Sequence, residues 1–150
     1  MKKIFLTFLI FSVVSCSVPE VPLDSLEQRN GIVYQVNSNE PFTGKGLSFN
    51  SDGKSDGFVT VKNGLVLGEE YYYDNGQLDY KAAYNKNGEL SLEEYYYENG
   101  QLEFRDTYKN GELVVEEDYY ENGQLAYKAT YKNGEFVQEE EYYENGKKKQ

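Results

Sequence analysis

The sequence predicts an all-β fold, an elongated and twisted antiparallel meander of about ten strands built from repeated β-hairpins. Two observations carry that prediction. Asn-Gly or Asp-Gly pairs recur along most of the chain, and the stretches between them alternate apolar and polar residues, the pattern of a strand with two unlike faces. The first series of corners falls at Asp52-Gly53, Asn75-Gly76, Asn99-Gly100, Asn122-Gly123 and Asn145-Gly146, its glycines stepping by 23, 24, 23 and 23 residues. The second falls at Asn63-Gly64, Asn87-Gly88, Asn110-Gly111 and Asn133-Gly134, stepping by 24, 23 and 23. A fixed period of this length marks a stack in which each unit buries its apolar side chains only against its neighbours.

The chain starts differently. Met1-Lys2-Lys3 followed by the apolar run from Ile4 to Phe11 has the layout of a secretory signal, and the run is too short to span a bilayer as a helix. Val13-Val14-Ser15-Cys16 resembles the lipobox of bacterial lipoproteins, and the resemblance implies cleavage before Cys16 and acylation of its thiol. Residues 1–15 are thus expected to be a lipoprotein signal peptide. Residues 16–30, with Pro19 and Pro22, are expected to form the lipidated cysteine and a flexible tether. Ser17 after the cysteine implies, by the same resemblance, an exported protein held in the bacterial cell envelope, at the outer membrane.

Composition narrows the function. The 150 residues carry 26 acidic and 15 basic side chains, a net charge of −11. Phosphate recognition needs a positive patch, so nucleic acid is excluded as the main partner and a basic protein is favoured. There is no His, which removes the commonest general base and the commonest metal ligand. No catalytic, cofactor or metal site is expected. Asn50-Ser51-Asp52-Gly53-Lys54-Ser55-Asp56-Gly57 has Lys54 where a calcium loop needs an oxygen, and it reads as a turn.

Within the repeats, residues 31–146, strands ending at the first corners run from Val66 to Tyr73, Leu90 to Tyr97, Leu113 to Tyr120 and Phe136 to Tyr143. Strands ending at the second corners run from Leu78 to Tyr84, Leu102 to Tyr108 and Leu125 to Tyr131. Phe42 to Phe49 and Ser55 to Val61 form a degenerate first pair, preceded by an opening strand from Ile32 to Val36. If the first corners are two-residue loops, Tyr73, Tyr97 and Tyr120 stand opposite Leu78, Leu102 and Leu125, with Tyr80, Phe104 and Tyr127 beside them as the candidate core face. On the other face Glu70 then opposes Lys81, Glu94 opposes Arg105 and Glu117 opposes Lys128. An odd period would turn alternate repeats inside out unless one corner holds an odd number of residues, and Lys109-Asn110-Gly111 and Lys132-Asn133-Gly134 suit a three-residue loop. Residues 147–150 are a basic tail that blunts an edge strand.

Tyr-Tyr-Glu-Asn-Gly-Gln-Leu and Tyr-Lys-Asn-Gly-Glu-Leu at this spacing, with the opening Asn30-Gly31-Ile32-Val33-Tyr34 and Pro41-Phe42-Thr43-Gly44-Lys45, resemble the bacterial variant of the MORN repeat found in the YwqK-family antitoxins. The resemblance implies a non-catalytic protein that neutralises a toxin by binding it, or a membrane-associated scaffold. From the residues themselves, Tyr72, Tyr96, Tyr119 and Tyr142 form a row of phenols beside the acids Glu94 and Glu117, and they are the candidate partner-binding residues. A cell-surface adhesion or envelope-scaffold lipoprotein is the alternative function.

Overall fold

The computed structural model describes residues 18–150, so the signal sequence and Cys16 lie outside the described residues. Twelve strands follow one another: β1 (Glu20–Pro22), β2 (Leu26–Arg29), β3 (Ile32–Gln35), β4 (Gly44–Phe49), β5 (Ser55–Lys62), β6 (Leu65–Tyr72), β7 (Leu78–Tyr84), β8 (Leu90–Tyr96), β9 (Leu102–Lys109), β10 (Glu112–Tyr119), β11 (Leu125–Lys132) and β12 (Glu135–Glu141). Ten of them make one sheet in the order β1-β4-β5-β6-β7-β8-β9-β10-β11-β12, while β2 and β3 pair separately. From β4 onward every neighbour is antiparallel and adjacent in sequence, as hairpin repeats require. The fold class is the predicted one.

The two corner types are exchanged relative to the sequence expectation. At Asn63-Gly64, Asn110-Gly111 and Asn133-Gly134 both residues have positive φ (Asn110 at 53°, Gly111 at 78°), which makes them two-residue turns of the primed type. At Asn75-Gly76, Asn99-Gly100 and Asn122-Gly123 only the glycine is left-handed. There the loop has three residues: Gly76 N–H donates to Tyr73 O at 2.8 Å and Tyr73 N–H donates to Gln77 O at 2.9 Å. The asparagine decides the form. Asn75 Oδ1 accepts the Gln77 N–H (2.8 Å) while its Nδ2 donates to Glu98 O of the next repeat (2.9 Å), a double engagement repeated at Asn99 and Asn122.

Tyr72, Tyr96 and Tyr119, not Tyr73, Tyr97 and Tyr120, therefore stand opposite Leu78, Leu102 and Leu125. A bulge follows at once, between Tyr71 and Tyr72 and at the matching places, and restores the count. Beyond it Glu70 opposes Lys81, Glu94 opposes Arg105 and Glu117 opposes Lys128, as read from the sequence. After the second corner another bulge, between Leu113 and Val115, supplies the odd residue that had been assigned to the loop.

Residues expected to be part of a flexible tether are instead structured from Glu20 onward. β1 lies parallel to β4, anchored by Lys45 N–H to Pro19 O (2.8 Å), and β2 and β3 form a hairpin. Gly46 permits the close approach, since a Cβ there would sit 2.7 Å from the Leu26 side chain. The buried apolar cluster is Val33, Phe42 and Val61, with Val21, Leu26, Val59 and Val66 packed against it. The core thus gathers at this end, and not along the whole tyrosine face: Tyr80, Phe104 and Tyr127 are only half-buried and Tyr95 is 40% exposed. At the other end Lys148 bridges to Tyr142, and Lys149 N–H donates to Glu141 O, so the basic tail covers part of the β12 edge.

Repeats without a deep core are joined at their corners. Tyr73, Tyr97 and Tyr120 hydroxyls donate to the backbone oxygens of Tyr96, Tyr119 and Tyr142, at 2.6, 2.8 and 2.8 Å. Tyr97→Phe deletes one such link and leaves the ring, so it is expected to lower unfolding free energy by about 1 kcal/mol in urea titration, with the native far-UV signal retained.

Candidate functional site

The sheet from β6 to β12 has two faces of unlike electrostatic character. On the first, the rung Glu70, Lys81, Glu94, Arg105, Glu117, Lys128 and Glu140 alternates sign across seven strands. Arg105 Nη2 lies 2.8 Å from Glu94 Oε1 and Lys128 Nζ 2.6 Å from Glu117 Oε1, while Arg105 Nη1 approaches Glu117 Oε2 at 3.7 Å. Lys148 of the tail continues the alternation with Glu140 at 2.6 Å. Burial alone would raise the Glu117 carboxyl, but the hydrogen bond and charge of Lys128, with Tyr119 and Arg105, outweigh it and hold the carboxyl below its ordinary value.

The sequence candidates lie here, and the structure brings them together. Tyr72, Tyr96, Tyr119 and Tyr142 each donate the hydroxyl to the acid two residues earlier: Glu70 (2.6 Å), Glu94 (2.9 Å), Glu117 (3.2 Å) and Glu140 (2.6 Å). The hydrogen bond to Glu70, with burial, pushes Tyr72 up to about 12. All four rings are half-buried, and Glu94 is only 4% exposed. On this face Arg105, Lys128 and Lys148 pair with Glu94, Glu117 and Glu140, and the four phenols donate to the same row of acids.

The opposite face does not. Its central rung is Glu69, Ala82, Glu93, Asp106, Glu116, Ala129 and Glu139, set by the same register one residue along. On one side runs Tyr71, Tyr80, Tyr95, Phe104, Asp118 and Tyr127; on the other stand the pairs Tyr84 with Leu90, Tyr108 with Leu113, and Tyr131 with Phe136. No Lys or Arg occurs at any of these positions. Among the described residues, tyrosines are the side-chain donors to these acids: Tyr84 to Glu69 (2.5 Å), Tyr80 to Glu93 (3.1 Å), Tyr108 to Asp106 (3.0 Å), Tyr131 to Glu116 (2.8 Å) and Tyr127 to Glu139 (3.2 Å).

Asp106 is the extreme case. It is 8% exposed, its Oδ2 accepts from Tyr108, and its Oδ1 is buried with no partner. Burial raises its carboxyl above the ordinary aspartate value; the Tyr108 hydrogen bond opposes this, and the charges of Glu116, Glu93 and Asp118 add to it. The β2–β3 hairpin covers this face only at its N-terminal end, where a groove of about 650 Å³ between hairpin and sheet is lined by Leu26, Val59, Val66, Glu69 and Tyr84. Sequence reasoning missed Glu69, Glu93, Asp106 and Glu116. Their signal lay in the register: once Glu94 faces Arg105, Glu93 must face Asp106 on the tyrosine side. Among the described residues no cluster of His, Cys, Asp and Glu has the geometry to hold a metal ion.

A single-layer sheet of stacked hairpins with two unlike faces is the architecture of a β-hairpin repeat protein. Residues 68–86, 90–110 and 114–133 match the family model for the MORN repeat variant, and the chain accordingly contains MORN repeats of that kind. No curated protein matches it. Among solved structures, it is similar to a chain of accessory secretory protein 1,2 and 3 in Streptococcus pneumoniae (10% identity, TM-score 0.40, 82% of this chain and 21% of that chain). It is also similar to a chain of the GtfA/B complex bound to UDP and GlcNAc (12%, 0.43, 77% and 23%). The chain spans about a fifth of the length of those chains.

Two substitutions separate the faces. Arg105→Ala strips the buried Glu94 of its counter-charge and is expected to destabilise by about 3 kcal/mol, read from urea midpoints. Asp106→Asn has the opposite sign. Asp106 holds its proton more tightly folded than unfolded, so its contribution to stability falls as pH rises from the ordinary aspartate range through its raised folded value. The amide variant should be at least as stable as the wild type at pH 7, and the difference should vanish below about pH 4 in thermal melts.

Proposed function

We propose that the protein is a non-catalytic, membrane-anchored repeat protein that holds a basic protein partner on its acidic tyrosine face and neutralises it as an antitoxin or immunity protein does. The observation that carries the reading is the unequal pairing of the two faces: one alternates Glu with Lys or Arg, whereas the other sets Glu69, Glu93, Asp106 and Glu116 among tyrosines with no cation. Aromatic side chains around desolvated charge are the residue types that anchor protein interfaces, and a net charge of −11 steers basic partners toward the molecule.

The antitoxin part of the proposal rests on the resemblance of the repeats to the YwqK family, and the anchor rests on Val13-Val14-Ser15-Cys16. Together they set a condition: a protein held at the envelope, at the outer membrane, meets only toxins that reach it outside the cytoplasm. On this reading Tyr72, Tyr96, Tyr119 and Tyr142, with Glu94 and Glu117, brace the sheet behind the docking face. No cofactor takes part.

The test is capture from the envelope and secreted fractions of the producing cell, followed by growth assays with whatever is retained. The expected result is a basic protein released by raised salt, whose growth inhibition is relieved by adding this protein. Retention of envelope or foreign-surface components that inhibit nothing would overturn the neutralising role and favour the adhesion or envelope-scaffold lipoprotein.

A further inference from the structure

The acidic tyrosine face contains one place where burial and missing partners coincide. Asp106 sits on β9 between Glu93 of β8 and Glu116 of β10, its direct cross-strand neighbours. Adjacent strands are about 4.8 Å apart, so three carboxylates stand within about 10 Å along one line. Like charges so placed oppose one another, and no Lys or Arg stands beside them; Lys149, at the β12 edge of this face, is paired with Glu141 at 3.0 Å. Asp106 Oδ1, buried and without a hydrogen-bond partner, leaves an acceptor in the middle of that line.

The walls are aromatic. Tyr80 and Tyr95 have ring centroids 4.9 Å apart, and Tyr95 lies 6.1 Å from Phe104. Across the carboxylate line stand Tyr108, bonded to Asp106, and Tyr131, bonded to Glu116. Three acids between two sets of ring faces form a seat for a cation. Spaced one strand apart, the three acids are not gathered as metal ligands are, and the seat suits a flat, delocalised and weakly hydrated cation with several donors. A guanidinium has those properties: it stacks on aromatic rings and presents a planar fork of N–H groups to carboxylates.

We propose that Glu93, Asp106 and Glu116 are the seat for one arginine side chain of the protein partner, with Tyr80, Tyr95 and Tyr108 as its walls; the identity of the ligand as a partner's arginine rests on the protein-binding reading above. The guanidinium donates to Asp106 Oδ1 and to the Glu93 and Glu116 carboxylates, and its plane lies against a ring. Reaching the buried Oδ1 requires neighbouring side chains to move, and Tyr95, 40% exposed, is the most open of the walls.

The experiment uses N-acetyl-arginine amide as probe and N-acetyl-citrulline amide, its neutral isostere, as control, titrated into the protein while the tyrosine ring resonances are followed by NMR. The arginine probe should shift the rings of Tyr80, Tyr95 and Tyr108 saturably, and the citrulline probe should not. Asp106→Asn should weaken arginine binding about tenfold, the size expected for one lost charge-assisted contact, whereas Glu98→Gln, which removes the same charge from an exposed corner, should change it less than about twofold. Equal shifts from both probes, or equal losses in both variants, would overturn the seat. Capture of a basic partner unaffected by Asp106→Asn would also overturn the seat and leave the protein-binding reading standing. Saturable arginine binding with no partner captured would do the reverse.

Discussion

Everything in this molecule depends on keeping its cross-strand rungs in phase over an odd repeat. A strand alternates its side chains with period two, so a stack of 23-residue units would scatter its acids and tyrosines over both faces unless one residue per repeat were taken out of the ladder. The bulge after the second corner does this, between Leu113 and Val115, while the bulge between Tyr71 and Tyr72 offsets the odd residue of the three-residue first corner. The step of 24 follows the same rule. At Asn85 to Glu89 the second corner adopts the three-residue form, with Gly88 N–H donating to Asn85 O at 2.9 Å, so the added residue is absorbed without turning the strand over.

Phase makes the two faces different materials. On one, opposite charges meet at every strand, and a carboxylate as buried as Glu94 is tolerated because Arg105 and Tyr96 both serve it. On the other, acids meet acids or alanines, and only phenol hydroxyls soften the repulsion. Crowding like charges in this way costs stability. Single-layer construction leaves that face reachable, because the β2–β3 hairpin and its Val33, Phe42 and Val61 cluster stop at the first strands. Further along, only small residues of that face's central rung are fully covered: Ala129 is 0% exposed and Ala82 2%.

The fold was legible in the sequence because the Asn-Gly spacing is regular and strand boundaries follow it within a residue or two, as Leu78 to Tyr84 shows. The charge rungs were legible too, since Glu94 and Arg105 pair at the distance from the corner that simple counting gives. Corner types were not. Tyr-Glu-Asn-Gly-Gln and Tyr-Lys-Asn-Gly-Glu look alike as turn signals, yet the asparagines engage differently: Asn99 Oδ1 accepts the Gln101 N–H, whereas Asn110 itself takes a positive φ. The strands at Glu20–Pro22 and Leu26–Arg29 were hidden by Pro19 and Pro22, which read as linker residues until β4 offers them a partner. The acidic rung was overlooked for a plainer reason: Glu93, Asp106 and Glu116 meet only across strands, and none stands out along its own.

The measurement that tests the two-faced account most directly is NMR titration of the carboxyl carbons of Asp106 and Glu117. The account requires opposite displacements: Asp106 titrating above the ordinary aspartate value, because it is buried among like charges, and Glu117 below the ordinary glutamate value, because Lys128 and Arg105 hold it ionised. Displacement of both groups in the same direction, or ordinary values for both, would show that the faces are not electrostatically distinct and would remove the basis for docking on either.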